Sequence, residues 1–319
     1  MNGFDGTHEP LLRRLPVQSL YPRAYRAAHG AEIADVLAES LRDADGRTAL
    51  REYARLAAHA LRLRLRIGSG DPAGRALAGA APFLLAGGAA LGAVHLLTGV
   101  VLRGSRAGLA EAALIGAQSA PWALALLGAV LGRWGWARAL VLAAVAAAPL
   151  GPDVLPGPSG ELLGLWALMG GLVLLAPPDG VDLAARTRSR AVGSAIALAL
   201  PMSAVAVVWI GHWPTDHTAT AFPTALRIAL DAFALWPAVV TAVVVGWQLA
   251  DPDTDRVQAG GAALAALPWT VMVAPPLYDS VPVDHHDLLR GGALTAVLVL
   301  AAAVLGVLRR AARPARPRG

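Results

Sequence analysis

The sequence predicts an all-α fold: a polytopic helical membrane protein of about eight transmembrane helices, preceded by a small cytoplasmic helical head. Three observations carry this. Hydrophobic residues fill 56% of the 319 positions, and the mean hydropathy of +0.53 lies above that of an ordinary soluble domain. The excess is mostly Ala, Leu, Val and Gly, gathered after residue 75 in runs near the roughly 20 residues that cross a ~30 Å hydrocarbon layer. The arginines then alternate between the loops in a way that one membrane orientation explains.

Two absences exclude whole classes of chemistry. The chain has no Cys, which removes disulfides, thiolate metal sites, Fe–S clusters and Cys nucleophiles. It also has no Lys, so all 27 basic residues are Arg. A Walker A loop and a Schiff-base enzyme each need a Lys, so an ATPase driving this protein is another polypeptide. No GxSxG, GxGxxG or Ser/Lys pattern occurs. We therefore expect a non-enzymatic chain with no cofactor and no nucleic-acid partner, despite a formal charge of +5. The partners expected are the lipid bilayer and, through the head, another membrane or cytoplasmic protein.

Taken in order, residues 1–75 form the head, 76–308 the transmembrane bundle and 309–319 a basic cytoplasmic tail. Residues 1–19 carry Asp5, Glu9, Arg13 and Arg14 and lack a long apolar core, unlike a signal peptide. In residues 20–45, Ile33, Val36, Leu37, Ser40 and Leu41 fall on one face of an amphipathic helix. His29-Gly30 is expected to break it from a shorter helix holding Tyr21, Tyr25 and Arg26, and Gly46 to end it. A second helix is expected over 48–67 with Thr48 as N-cap. Leu50, Tyr53, Ala57, Ala60 and Leu61 form its apolar side, and Arg51, Arg55, Arg62 and Arg66 a basic stripe. That stripe has two readings: solvated arginines on a self-packed head, or arginines lying on anionic headgroups.

The segment YPRAYRAAHGAEIADVLAESL, followed by REYARLAAHALRLRLR, resembles the permease-prefix or HAAS-like heads of actinobacterial polytopic membrane proteins. In those heads a Tyr-Pro, an Arg-rich turn, a Gly-Glu-like step and an amphipathic helix precede several spans. The matching residues are Tyr21, Pro22, Tyr25, Arg26, Gly30 and Glu32, with Ala31 intervening before the acid. The resemblance covers roughly residues 15–67. It implies a membrane-associated regulatory or permease-like setting and carries over no catalytic residue.

The expected spans are 76–102, 109–132, 135–152, 161–177, 190–211, 224–249, 258–276 and 288–308. Pro149, Gly151 and Pro152 force a turn between the third and fourth, which are short enough to be a pair of half-spans instead. With the head inside, every arginine of the 27 except Arg103, Arg106, Arg227 and Arg290 falls on the inner side. Adding or losing one span would move the arginine-rich tail outside, so eight is preferred, with seven or six as fallbacks. The expected location is the bacterial plasma membrane, multi-pass, with both termini cytoplasmic.

Candidate chemistry lies in two places. On the outer side, His212, Asp216 and His217 precede span six, and Asp284, His285 and His286 precede span eight; imidazole and carboxylate donors of this kind bind Zn²⁺ when they converge. Neither group has an established ligand spacing, and a pair of solvated polar loops accounts for both. Within the spans stand His95, Gln118 and Ser119, Glu111 one turn into span two, and Arg227 with Asp231 at i, i+4. Intramembrane polar groups mark solute or proton paths, or simply bond neighbouring helices and snorkel. Five prolines (Pro82, Pro121, Pro201, Pro237 and Pro268) fall inside spans, and Gly88 with Gly92, Gly128 with Gly132 and Gly160 with Gly164 fit GxxxG steps, which arise readily by chance among 34 glycines and indicate close packing at most. The function expected is a non-enzymatic regulatory or permease-like component. The alternatives are a secondary transporter or transport-system subunit, and a membrane-embedded metalloenzyme using the outer His and Asp residues.

Overall fold

A computed structural model describes residues 17–42, 44–102, 108–150, 160–212, 234–270 and 285–312. Every element among them is helical. The chain divides into two units, Met1–Gly74 and Arg75–Gly319.

The first unit holds a 3-10 turn (Val17–Leu20) and two helices, α1 (Arg23–Leu41) and α2 (Gly46–Leu65). The expected break at His29-Gly30 does not occur. One internal Gly costs only about 1 kcal/mol, and the turn around it is bridged by Tyr25 tilted against His29 (4.7 Å between centroids) and by His29 beside Glu32 (3.4 Å). The chain leaves α1 at Leu41, and Gly46 opens α2 rather than closing α1. The N-cap is Asp45, not Thr48: the Asp45 carboxylate accepts the Thr48 N–H at 3.1 Å. The bonds from Thr48, with help from Arg47, hold that carboxyl below its ordinary value. α2 ends at Arg66, which takes the left-handed conformation (φ 54°) that closes many helices.

The head core is Leu41 and Tyr53, flanked by Leu37, Ala44, Ala49 and Leu56. Tyr21 is buried, stacks on Tyr25 (5.5 Å) and shares a 3.2 Å hydrogen bond between its hydroxyl and His59 Nδ1. Burial and the neighbouring Tyr25 raise its pKa, against the pull of Arg62. Leu50 and Leu61, expected beside Tyr53 and Ala60, are instead 59% and 50% exposed. At about 100° per residue they lie about 80° round the helix from that buried side.

The second unit is a helical bundle. It contains the body of α3 (Pro72–Leu96, continued by a π-helical turn Leu97–Leu102), α4 (Leu109–Val130), α5 (Trp134–Ala147) and α6 (Gly160–Leu175). There follow α7 (Ala185–His212), α8 (Trp236–Ala250), α9 (Arg256–Gly261) running into a 3-10 helix (Ala262–Thr270), and α10 (His285–Ala311). Four of these helices, at Pro72–Gly99, Ala112–Val130, Ala185–Val207 and Leu288–Ala311, are long and apolar enough to cross a membrane. Trp134–Ala147, Gly164–Leu175 and Trp236–Ala250 are shorter apolar helices. The expected span 258–276 is, as far as it is described, a short α-helix and a 3-10 helix. Pro268 lacks the N–H that a continued α-ladder needs. Because a 3-10 helix rises about 2.0 Å per residue, Arg256 to Thr270 still extends about 27 Å.

Small residues bring the inner elements together. A Cβ on Gly79 would meet the Gln258 backbone, and one on Gly261 the Ala76 backbone, so α3 and α9 cross at van der Waals distance through paired glycines. Gly88 faces the Trp122 ring and Gly92 the Ser119 carbonyl, which seats α4 on α3. α3 is thus almost wholly enclosed, whereas α4, α7 and α10 keep most of their apolar surface outward. That inside-out pattern fits a chain solvated by lipid.

Candidate functional site

Alternate helices of the bundle run in opposite directions, so one end collects the starts of α3, α5, α7 and α9 and the finishes of α4, α6, α8 and α10. A helix finish presents carbonyls without intrahelical partners, and arginines at this end supply the missing donors. Arg188 on α7 donates to Val130 O at 2.6 Å, the last carbonyl of α4; Arg138 on α5 donates to Leu174 O at 2.6 Å on α6. Arg310 on α10 donates to Pro252 O (2.8 Å) and Thr254 O (3.4 Å) in the link between α8 and α9, and Arg75 pairs with Asp255 at 3.2 Å. Positive charge at a helix C-terminus also offsets its dipole.

The centre of this belt is Arg190. Its guanidinium donates to Gln248 Oε1 at 2.7 Å and to Asp251 Oδ2 at 2.8 Å. Asp251 is 8% exposed and Arg190 22% exposed by side chain. Burial alone would raise the Asp251 pKa. The Arg190 hydrogen bond, the Asp253 N–H (3.2 Å to Oδ1) and the charges of Arg190 and Arg186 outweigh it and hold the carboxyl below its ordinary value. Arg186 reaches Asp253 at 3.2 Å and Asp251 at 3.8 Å. Asp182 anchors the start of α7, accepting from Ala184 N–H and from Thr187 Oγ1. The belt therefore ties α7 to the α8–α9 link through a desolvated ion pair.

Arg190 also closes one end of a slot of about 380 Å³ between α7 and α8. Its walls are Gly193, Ala197 and the valines of α8, with Trp247 and Trp236 along the same helix. The Trp236 indole N–H donates to Ala197 O at 2.8 Å. Beside α3 the bundle is filled by Trp122, Trp166 and Trp269, all buried.

Of the residues expected in the spans, Gln118 is buried and its amide donates to Ala148 O (3.2 Å) and Ala147 O (3.5 Å). In a continued α-helix the Ala148 carbonyl would need the N–H of residue 152, a proline, and Gln118 supplies that bond instead. His95 is half-buried, its ring edge-on to Trp166 at 5.3 Å. Arg227 and Asp231 lie outside the described residues. So do Asp216, His217 and Asp284, and the side chains of Glu111, His212 and His285; His286 is exposed at the start of α10. No group of three or more potential metal ligands occurs among the described residues. Of the basic stripe, Arg51, Arg55 and Arg66 are exposed and Arg62 is half-buried, with Arg55 paired to Glu52 at 2.6 Å.

Sequence reasoning counted Arg190 and Asp251 only as loop charges. The signal was present in QLADPDTDR, where three acids crowd the end of an apolar run on a side otherwise rich in arginine.

No family model, curated protein or solved structure matches the chain. The site's own chemistry must therefore carry any functional reading.

Proposed function

We propose that the chain is a multi-pass protein of the bacterial plasma membrane, with eight spans and with both termini and the arginine belt on the cytoplasmic side. It acts as a non-enzymatic regulatory or permease-like component through its helical head and its bundle. The resemblance of residues 15–67 to permease-prefix or HAAS-like heads belongs to this reading.

The observation that supports it best is how the belt uses its charges. Arg75, Arg138, Arg188, Arg190 and Arg310 clamp helix ends or pair with carboxylates, which is the work of a structural closure. The side with most arginine is the side that the positive-inside tendency retains in the cytoplasm. Gln118 spends its amide on backbone carbonyls, and indoles fill the space beside α3; both speak against a polar route there.

The test is flux. The purified full chain is reconstituted into vesicles that trap a pH-sensitive dye, and an ion or pH gradient is imposed. The expected result is the leak rate of protein-free vesicles. Gradient-driven proton movement in the protein-containing vesicles would overturn this reading in favour of a secondary transporter.

A further inference from the structure

Helix α2 carries two apolar faces, and the head uses only one. Tyr53, Leu56 and Ala60 turn toward Tyr21, Leu37 and Leu41 and make the core. Leu50, Leu61 and Leu65 are 59%, 50% and 51% exposed. At about 100° per residue, those three leucines and Ala54 fall within about 60° of arc, so they form one continuous strip along the helix. Arg51, Arg55 and Arg62 follow in the next about 80° of arc; Arg51 and Arg55 are exposed, while Arg62 is half-buried and near enough to Tyr21 for its charge to act there.

The charge on this helix has one sign. Between residues 46 and 66 stand Arg47, Arg51, Arg55, Arg62, Arg64 and Arg66 against a single acid, Glu52, which pairs with Arg55. A row of exposed leucines beside arginines is poorly suited to water, because it leaves apolar area unburied. It is well suited to the boundary of an anionic bilayer. There leucines enter the acyl region and arginine stems lie along it, with their guanidinium groups at phosphate depth. Only six residues, 66–71, separate α2 from α3 in the chain.

We infer that α2 is an interfacial helix. Its Leu50–Leu61–Leu65 strip seats on a bilayer surface containing anionic phospholipid, and Arg51, Arg55 and Arg62 hold it there. The inference needs the chain to be in a bilayer, but it does not depend on the direction of insertion or on the absence of transport.

The chain has no Cys, so single-cysteine variants need no background substitutions. The full chain carrying L61C, or the control E39C on the exposed side of α1, is labelled with an environment-sensitive dye. It is placed in nanodiscs of phosphatidylcholine alone or mixed with phosphatidylglycerol, with bromines on the acyl chains. In phosphatidylglycerol discs the L61C dye is expected to shift to the blue and be quenched by bromine, while the E39C dye stays water-like. Each of R51Q, R55Q and R62Q should weaken seating roughly fivefold. Salt near 1 M should reverse the L61C signal without any change in sequence, because it screens charges beyond about 3 Å; this arm stands even if the variants fail to fold. A water-like L61C dye in anionic discs would overturn the inference. So would a blue shift without bromine quenching, which means burial against protein, or equal quenching in neutral discs, which means the arginines take no part.

Discussion

Helices α3 and α10 have nearly the same length and similar apolar character, yet the windows that qualify them as spans are 89% and 17% buried. Glycine placement contributes to the difference. The α3 segment places Gly79, Gly87, Gly88 and Gly92 among alanines, so neighbouring backbones and indole rings come into contact with it. The α10 segment sets Leu289, Val297, Leu300, Val304 and Leu308 outward. In water the outward leucines and valines of α10 would be among the first groups removed from solvent. In hydrocarbon they gain nothing by moving inward, and glycines at inner positions permit close approach of neighbouring elements. Hydropathy alone does not separate an enclosed span from a lipid-facing one; glycine placement does.

Substitution should separate the two helices sharply. Gly79→Leu forces a side chain into the Gln258 backbone, where neither element can give way, and is expected to cost at least about 3 kcal/mol. Leu300→Ala on α10, 66% exposed in the native protein, should stay within about 0.5 kcal/mol. Thermal unfolding in detergent reads both. Equal losses would mean that α10 packs against protein as closely as α3 does.

The next largest effect belongs to the belt. Asp251→Ala leaves Arg190 half-desolvated with only Gln248 as partner, and should cost about 3 kcal/mol. The pH dependence has a definite sign. The folded-state pKa of Asp251 is lowered, so its contribution is complete above the unfolded carboxylate value of about 4 and is lost as pH falls through the lower folded value. The wild-type melting temperature should therefore drop on going from about pH 5 to about pH 3, and D251A should lose less over that interval. A smaller loss, about 1–2 kcal/mol, is expected for Gln118→Leu, which strands the Ala148 carbonyl. Measured by the same unfolding, a neutral Gln118→Leu would mean that another donor reaches that carbonyl.

Much of the helical class was legible because the apolar runs after residue 75 are long and nearly free of charge. The helix ends in the head were less so. Thr48 and Asp45 are both good caps, and only the backbone geometry shows that Asp45 precedes the first turn while Thr48 supplies the N–H. Gly30 looked like a break because glycine is a weak helix former, but the local contacts of His29 with Tyr25 and Glu32 on either side of it carry the helix through. Residues 256–270 read as a span from composition; the sequence pattern does not reveal the change from α-helix to 3-10 helix after Gly261. The candidate site was hidden for a different reason. Arg190 lies 58 positions from Gln248 and 61 from Asp251, and they meet only because α7 and α8 pack antiparallel. Counting arginines by loop groups them on one proposed side of the membrane but does not name their partners.

The central claim is that the arginine belt marks the cytoplasmic end of a membrane bundle. Asp253 lies in that belt and is exposed. His286 is exposed at the start of α10, whose 27 residues carry the chain about 40 Å to Arg310 in the belt. The most direct measurement labels single-cysteine variants D253C and H286C in intact cells with a membrane-impermeant maleimide. H286C is expected to be labelled at once and D253C only after the membrane is permeabilised. Labelling of D253C in intact cells, with H286C protected, would contradict it.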